Sequence, residues 1–259
     1  MENFIKQIVN HYDDGDLSEK TRQIVVEEPL EIHVQGKPYS ILMRTPGDEL
    51  ALVAGFCLSE GLIDSHDDLS SIGYCKDIDS NRILVQLTEK REKLVSKLLQ
   101  RSSFRSQTSC GLCGKEMIDD ICTEFNKIEK INVKPEILIR LQDDLKKRQK
   151  LFKETGGTHG ALISDADGIF LSFAEDVGRH NAFDKAIGNL ILEKKLNKAK
   201  IALLSSRGSF EMIQKAARAN IPVVVCVSAP TSLAIELAKK AGVKLIGFLR
   251  GNSYNIYCD

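Results

Sequence analysis

Three short apolar runs, Ile201–Ser205, Pro222–Val227 and Val243–Leu249, are separated by two stretches of helical apolar spacing, Phe210–Ala219 and Thr231–Ala241. This alternation constrains the chain more than any other feature. Parallel strands need a crossover between them, and a helix of this length supplies it. Upstream, Gly160–Ser164 and Gly168–Phe173 flank the turn signal Asp165-Ala166-Asp167 and predict a hairpin, and Asn181–Leu192 has helical spacing. The C-terminal part is therefore expected to be α/β, with helices packed on a largely parallel sheet.

The N-terminal part is expected to be α+β. Arg22–Val34 and Lys37–Arg44 are rich in Ile and Val, and Gly36-Lys37-Pro38 between them predicts a hairpin. Asp48–Leu62 and Lys90–Leu99 have helical spacing, and Arg82–Leu87 is a strand candidate. A polar loop, Arg101–Ser109, leads into Cys110-Gly111-Leu112-Cys113 and a helical pattern over Glu116–Ile128. Pro135 opens a further helix, whose charged end Asp143–Lys150 reads as a solvated link between two lobes. These features divide the chain into a mixed domain over residues 1–133, ending with the cysteine loop and the helix after it, and an α/β domain over 134–259.

Composition narrows the function. Hydrophobic residues make up 42% and charged residues 28%, which excludes a mainly disordered, collagen-like or coiled-coil chain. Lys+Arg and Asp+Glu both number 36, without the basic excess of a dedicated nucleic-acid binder. No basic segment followed by an apolar run marks the N-terminus for secretion. The longest apolar stretch, Ile221–Val227, falls far short of the roughly 20 residues that cross a bilayer. Seven cysteines scattered through a chain of this size fit a reducing cytoplasm, with most thiols buried. Cys57, Cys75 and Cys226 lie in apolar patterns and are expected in the core.

Two strand–helix junctions invite a ligand. Ser205-Ser206-Arg207-Gly208-Ser209 and Ser228-Ala229-Pro230-Thr231-Ser232 each place hydroxyls and free N–H groups at a helix start, on the sheet edge where open α/β folds bind ligands. Arg207 adds a cation with a fork suited to phosphate. Plain helix capping by Ser and Thr explains either junction alone. Glu175-Asp176-Val177-Gly178-Arg179-His180-Asn181-Ala182-Phe183-Asp184 is dense in functional side chains. On a helix, Asp184 sits one turn from His180 and would fix its tautomer. A cap with exposed ion pairs is the bland alternative, and so is an unliganded turn for Gly156-Gly157-Thr158-His159-Gly160.

The Cys110/Cys113 pair carries the sharpest chemistry. Zinc would need four ligands, and only Cys122 lies nearby. A thioredoxin-like motif should follow a buried strand rather than a polar loop. A zinc deaminase would show H-x-E followed by P-C-x-x-C, and neither pattern is present. Two readings remain open: an inert pair, or a solvent-reachable nucleophilic thiol able to carry sulfur as a persulfide.

Taken together, the motifs resemble the formate dehydrogenase accessory sulfurtransferase family. The resemblance runs from about Glu28 to the C-terminus. It includes Leu58-Ser59-Glu60-Gly61-Leu62-Ile63, Cys110–Cys113, Thr158-His159, Glu175 through Ala182 and Ser205-Ser206-Arg207. It continues through Gln214-Lys215-Ala216-Ala217, Val227-Ser228-Ala229-Pro230-Thr231 and Gly247-Phe248-Leu249-Arg250. The tail, Asn255-Ile256-Tyr257-Cys258-Asp259, lacks a few residues expected beyond it.

The resemblance implies a cytoplasmic sulfurtransferase whose C-terminal half is a three-layer, cytidine-deaminase-like α/β domain, and a homodimer. It implies persulfide chemistry at Cys110 with Cys113 as its partner, a cysteine desulfurase as donor and the apo form of formate dehydrogenase as destination. The bound substrate would be the molybdenum bis(molybdopterin guanine dinucleotide) cofactor, with no permanently bound metal. The family's cofactor-binding stretch falls on Phe248, Leu249, Arg250, Gly251, Asn252 and Ser253. Ser206, Arg207, Ser228 and Thr231, with Arg179 and His180, are the further candidates for the guanine nucleotide and its pyrophosphate. Neither nucleic acid nor membrane is expected as a partner. A non-covalent cofactor chaperone, a dithiol–disulfide redox protein and a zinc-dependent nucleotide-modifying enzyme are the competing classes.

Overall fold

The computed structural model describes residues 3–75, 79–100 and 128–259. Two strands, β1 (Phe4–Asp13) and β2 (Asp16–Val25), form an antiparallel ribbon that, among the described residues, joins no other sheet. Its two-residue loop, Asp14-Gly15, has positive φ at both positions, 45° and 100°, as the twist of a tight hairpin demands. The apolar run Arg22–Val34 is therefore not one strand. The chain leaves the ribbon after Val25 and enters a second sheet at Glu28.

That second sheet contains β3 (Glu28–Val34), β4 (Lys37–Arg44), β5 (Leu69–Cys75) and β6 (Asp79–Leu87), in the order β4-β3-β6-β5. Leu30, Ile32 and Val34 alternate inward along β3, while Glu31 and His33 do not, the period of a half-buried strand. Among the described residues, helices α1 (Glu49–Ser59) and α2 (Glu89–Gln100) also belong to the N-terminal portion. From Ala51 to Ser59 every residue of α1 is buried, so this helix is central rather than amphipathic.

The C-terminal portion contains α3 (Pro135–Arg148), α4 (Lys150–Thr155), β7 (His159–Ser164), β8 (Phe170–Asp176) and α5 (Arg179–Leu192). It continues through β9 (Ile201–Leu204), α6 (Phe210–Arg218), β10 (Val223–Cys226), α7 (Ser232–Ala241), β11 (Lys244–Arg250) and β12 (Ser253–Cys258). The sheet order is β12-β11-β10-β9-β7-β8. Only the pairings of β10 with β9 and with β11 are parallel. The other three, β7 with β8, β7 with β9 and β11 with β12, are antiparallel. The expected largely parallel sheet is thus corrected to a mixed one. Its two terminal hairpins have connections too short for a crossover, so they must run antiparallel.

Alternate residues of this sheet feed two cores. Ile201, Leu203, Val223, Val225 and Ile246 face α3, which contributes Leu138, Leu141 and Leu145. Ala202, Leu204, Val224, Cys226 and Leu245 face the other way, into a core shared with α5, α6, α7, α1 and β3. Helix α3 is consequently a packed element and not a solvated link. Its leucines at helical spacing form a stripe that only burial satisfies, and the charged residues occupy its outer face.

The two portions meet at a helix crossing without side chains between them. A Cβ on Gly188 of α5 would stand 1.7 Å from the Ala51 carbonyl oxygen, and one on Gly55 of α1 would stand 2.0 Å from that of Asp184. Both positions require glycine because each backbone occupies the space of the other's side chain.

Candidate functional site

Strand β9 is parallel to β10 and β11, and antiparallel to β7, which is itself antiparallel to β8. Hence β8, β9, β10 and β11 point one way and end on one edge, where β7 begins at His159. Candidates far apart in sequence converge there: Arg179 and His180 after β8, Ser206 and Arg207 after β9, Ser228 and Thr231 after β10, and Phe248 within β11. Backbone bonds lace the loops together, from Gly208 N–H to the Ala229 carbonyl (3.2 Å), from Thr231 N–H to that of Gly208 (3.0 Å), and from Phe248 N–H to that of Ser228 (3.2 Å). The Ser205 hydroxyl accepts from Gly160 N–H at 2.9 Å and ties the start of β7 to the same edge.

Not every hydroxyl there is free for a ligand. The Thr231 hydroxyl accepts from Ala234 N–H at 3.3 Å and caps α7. The buried Ser206 hydroxyl donates to the Arg207 carbonyl at 3.1 Å. The Arg207 side chain is exposed.

The Phe248–Ser253 stretch is a bulged strand end and turn. Phe248 has φ 56°, and the β11–β12 register shifts between Gly247 and Arg250. A Cβ at Gly247 would lie 2.9 Å from Pro230 Cδ, so glycine lets the bulge nest on the Ser228–Thr231 loop. Leu249 is fully buried, and its carbonyl accepts from Gln142 Nε2 at 2.5 Å. Gly251 N–H donates to Gln142 Oε1 at 2.9 Å, so one buried amide of α3 holds both sides of the turn. Arg250, Gly251, Asn252 and Ser253 are exposed, and the Arg250 guanidinium lies 5.9 Å from the Phe248 ring centre.

The start of α5 is built differently from the expected pairing. Asp184 does not hold His180. Its carboxylate accepts from Lys215 Nζ at 2.7 and 2.8 Å and from the Ser59 hydroxyl at 2.8 Å, all buried. His180 Nε2 instead lies 3.7 Å from Glu211 Oε2. Glu175 and Asp176 hold the scaffold. Glu175 accepts from the N–H groups of Leu151 and Phe152 and from the Thr158 hydroxyl, capping α4. Asp176, fully buried, accepts from Thr45 N–H, Gly178 N–H, Asn181 Nδ2 and Lys185 Nζ. These contacts replace the exposed ion pairs of the bland reading with buried ones.

Two polar atoms at this helix start, Arg179 Nε and His180 Nε2, are buried without a hydrogen-bond partner among the described residues. Buried polar atoms are ordinarily paired, so such orphans mark a place for water or ligand. Burial pushes the His180 pKa below its ordinary value, and Lys215 and Arg179 push it the same way against Glu211 and Asp184. Burial and then Arg179 depress His159 similarly. Glu211 is held below the usual carboxylate range: burial opposes ionisation, but its own backbone N–H and the nearby His180 and Arg179 prevail. Both imidazoles thus have lowered pKa values, and His180 faces a carboxylate whose ionised form is favoured. Glu211 was not singled out in the sequence, although its place in the first turn after Ser205–Ser209 is a usable signal.

Cys110, Cys113, Cys122 and the helical pattern over Glu116–Ile128, save for Ile128 itself, which is buried in the core, lie outside the described residues. Cys57 and Cys226 are buried in the core as expected, whereas Cys75, at the end of β5, is half-buried. Among the described residues no three or more His, Cys, Asp or Glu side chains gather as a metal site requires. No helix there is long and apolar enough to cross a membrane.

A mixed-sheet α/β portion, locked through α1 onto a smaller α+β portion, defines an architecture already seen by crystallography. A candidate formate dehydrogenase accessory protein from Desulfotalea psychrophila superposes with a TM-score of 0.79, covering 99% of this chain and 97% of that one at 23% identity. The chain belongs to the FdhD/NarQ family, whose signature matches residues 25–259. It is 42% identical over 254 residues to the sulfur carrier protein FdhD of Streptomyces coelicolor, covering 94% of this chain and 90% of that protein. It is 41% identical over 240 residues to that of Sulfurisphaera tokodaii, covering 90% and 89%.

Proposed function

We propose that this chain is a sulfur carrier of formate dehydrogenase maturation, acting in the cytoplasm. It accepts sulfane sulfur from a cysteine desulfurase as a persulfide on Cys110 and delivers it to the molybdenum bis(molybdopterin guanine dinucleotide) cofactor, before that cargo enters the apo-enzyme. The similarity to sulfur carrier proteins along nearly the whole chain carries this reading.

Loading is a thiolate exchange. The Cys110 thiolate attacks the outer sulfur of the donor's persulfide, a new S–S bond forms, and the donor cysteine leaves as thiolate. The guanine dinucleotide is cargo here, and its pyrophosphate suits the sheet edge. Helix starts after β9 and β10 offer N–H groups to an anion, and Arg207 and Arg250 are exposed cations. The orphaned Arg179 Nε and His180 Nε2 fit a polar ligand on the same edge. The deaminase-like assignment of the C-terminal half belongs to this proposal, supported by helices on both faces of its sheet.

Intact-protein mass spectrometry after incubation with a cysteine desulfurase and cysteine tests the carrier step. Wild type should gain one sulfur that reductant removes, and Cys110→Ala should gain none. Unmodified wild type would sink the proposal. Titration with GDP tests the edge separately. Arg207→Ala should weaken binding by about tenfold, as loss of a charge-assisted hydrogen bond does. Equal affinity in both proteins would remove Arg207 from the site.

A further inference from the structure

Helices α5 and α6 face each other through two rungs near their starts. His180 and Asp184 lie one turn apart on α5, and Glu211 and Lys215 lie one turn apart on α6. The lower rung, Asp184 with Lys215, is closed, with buried contacts of 2.7 and 2.8 Å. The upper rung is open. His180 Nε2 stands 3.7 Å from Glu211 Oε2, too far for a hydrogen bond, and the Glu211 side chain is 42% exposed. The closed rung fixes the two helices against each other, and the open one presents a carboxylate at the sheet edge.

That carboxylate changes what the edge can recognise. Of α5, α6 and α7, which all begin there, α6 alone has an acidic residue in its first turn. A helix start favours negative charge, and at α6 the chain supplies that charge itself. What this start offers a ligand is therefore an acceptor. Burial opposes the ionisation of Glu211, but its own backbone N–H and the Ser209 hydroxyl favour it. A carboxylate has about four acceptor positions, so these two donors leave others for a ligand.

We infer that Glu211 is the specificity-determining residue of this edge, accepting from the two adjacent N–H donors of a 2-amino-4-oxopyrimidine ring. The inference deepens the dinucleotide reading of the edge and rests on it. Guanine contains that ring, with a ring N–H beside an amino group, and so does a pterin. Adenine has an unprotonated ring nitrogen in place of the N–H, and a carboxylate repels it. Hypoxanthine keeps the N–H and lacks the amino group. On the other side of the ring N–H lies a carbonyl, an acceptor. Arg179 Nε, close to Glu211 and buried without a hydrogen-bond partner among the described residues, is a donor suited to it. A cationic donor fits less well, since Arg179 already places positive charge beside the carboxylate. The ring then lies at the α5–α6 rung. The pyrophosphate goes to the α7 start, which carries no acid, with the exposed Arg207 and Arg250.

Calorimetric titration of the full-length chain with ligands that differ only at this ring tests the assignment. Wild type should bind GDP about tenfold more tightly than IDP, which lacks the amino group, as loss of a charge-assisted hydrogen bond implies. In Glu211→Gln the amide offers one acceptor and one donor, which matches xanthine, where a carbonyl replaces the amino group. This variant should reverse the order and prefer XDP to GDP by about tenfold. An acid that merely stabilised the helix start would give another result, because removing its charge would raise the affinity for GDP, XDP and ADP alike. Pterin and lumazine, the corresponding amino and oxo pair, separate the two ends of the cargo. A reversal confined to that pair assigns Glu211 to the pterin rather than the guanine. The wild-type ratios of GDP to IDP and of pterin to lumazine need no variant, so a misfolded Glu211→Gln would not shield the inference. Wild type that binds GDP and shows equal affinities within both pairs would overturn it and leave the dinucleotide reading standing, as would a folded Glu211→Gln that reverses neither order. Wild type that binds neither GDP nor pterin would overturn both.

Discussion

Asp176 and Lys185 form an ion pair of 2.7 Å in which both side chains are excluded from solvent. The same ammonium donates to the Thr45 carbonyl at 2.8 Å, and the same carboxylate accepts from Thr45 N–H at 3.1 Å. The pair therefore grips the segment after β4 from both sides and fixes the end of β8 against the N-terminal portion. Removing one partner strands the other charge in the core, at a cost of about 3–5 kcal/mol. Asp176→Ala should lower the free energy of unfolding by that amount in urea titration, and Asp176→Asn by less, since its one amide oxygen still accepts from either Thr45 N–H or Gly178 N–H. An Asp176→Ala protein as stable as wild type would contradict a buried, coupled pair.

The α1–α5 crossing should be intolerant of a single methyl group. Alanine is ordinarily a better helix former than glycine, so an exposed Gly→Ala change inside a helix would stabilise. At Gly188 the new Cβ would overlap the Ala51 carbonyl oxygen, and the helices would have to separate. Gly188→Ala should therefore destabilise by about 3 kcal/mol, the upper end of overpacking costs. A rise in melting temperature would show that the helices do not approach this closely.

Acidification should weaken the fold before the carboxylates titrate. His159 and His180 have folded pKa values below the ordinary 6.5. Below that pH the unfolded chain binds more protons than the folded one, so stability rises with pH across the window. The contribution is fully present above about pH 6.5 and is lost as pH falls toward the depressed folded values. Melting temperatures should fall on descending from neutral pH toward pH 5, and His180→Gln should show a shallower fall. Parallel profiles would exclude His180 as a source.

Core cysteines should be silent in the folded protein. Burial pushes the Cys226 thiol up to about 12, and burial, with Glu60 and Asp184 nearby, raises Cys57 as well. Only the thiolate is a nucleophile. Iodoacetamide at mildly alkaline pH, followed by peptide mapping, should leave both unlabelled until denaturant is added. Labelling of either under native conditions would refute its burial.

The alternating pattern from Ile201 to Leu249 was legible because each strand there is short, apolar and bounded by a helix with its own periodicity. The convergence of the Ser205–Ser209 and Ser228–Ser232 junctions on one edge was legible for the same reason, since strand–helix junctions must fall on one side of such a sheet. Other elements carried weaker signals. β5 and β12 mix polar with apolar residues along their length, and β1 shows no strict alternation, although Asp14-Gly15 was a usable turn signal. The solvated reading of α3 failed because its charges were weighed without the leucine stripe beneath them.

The sequence by itself determined the local elements, the turn chemistry and which junctions could meet an anion, because these depend on neighbours within a turn or a strand. It also placed Cys110 and Cys113 at a spacing suited to thiol chemistry. Only the tertiary structure decided the partners of the charged groups. Asp184 lies four residues from His180 yet bonds to Lys215 and Ser59, and Asp176 lies far from Thr45 in sequence yet bonds to its backbone. A buried charge goes to whichever counter-charge the packing delivers. Here the packing is set by two glycines, Gly55 and Gly188, which let α1 and α5 come together backbone to backbone.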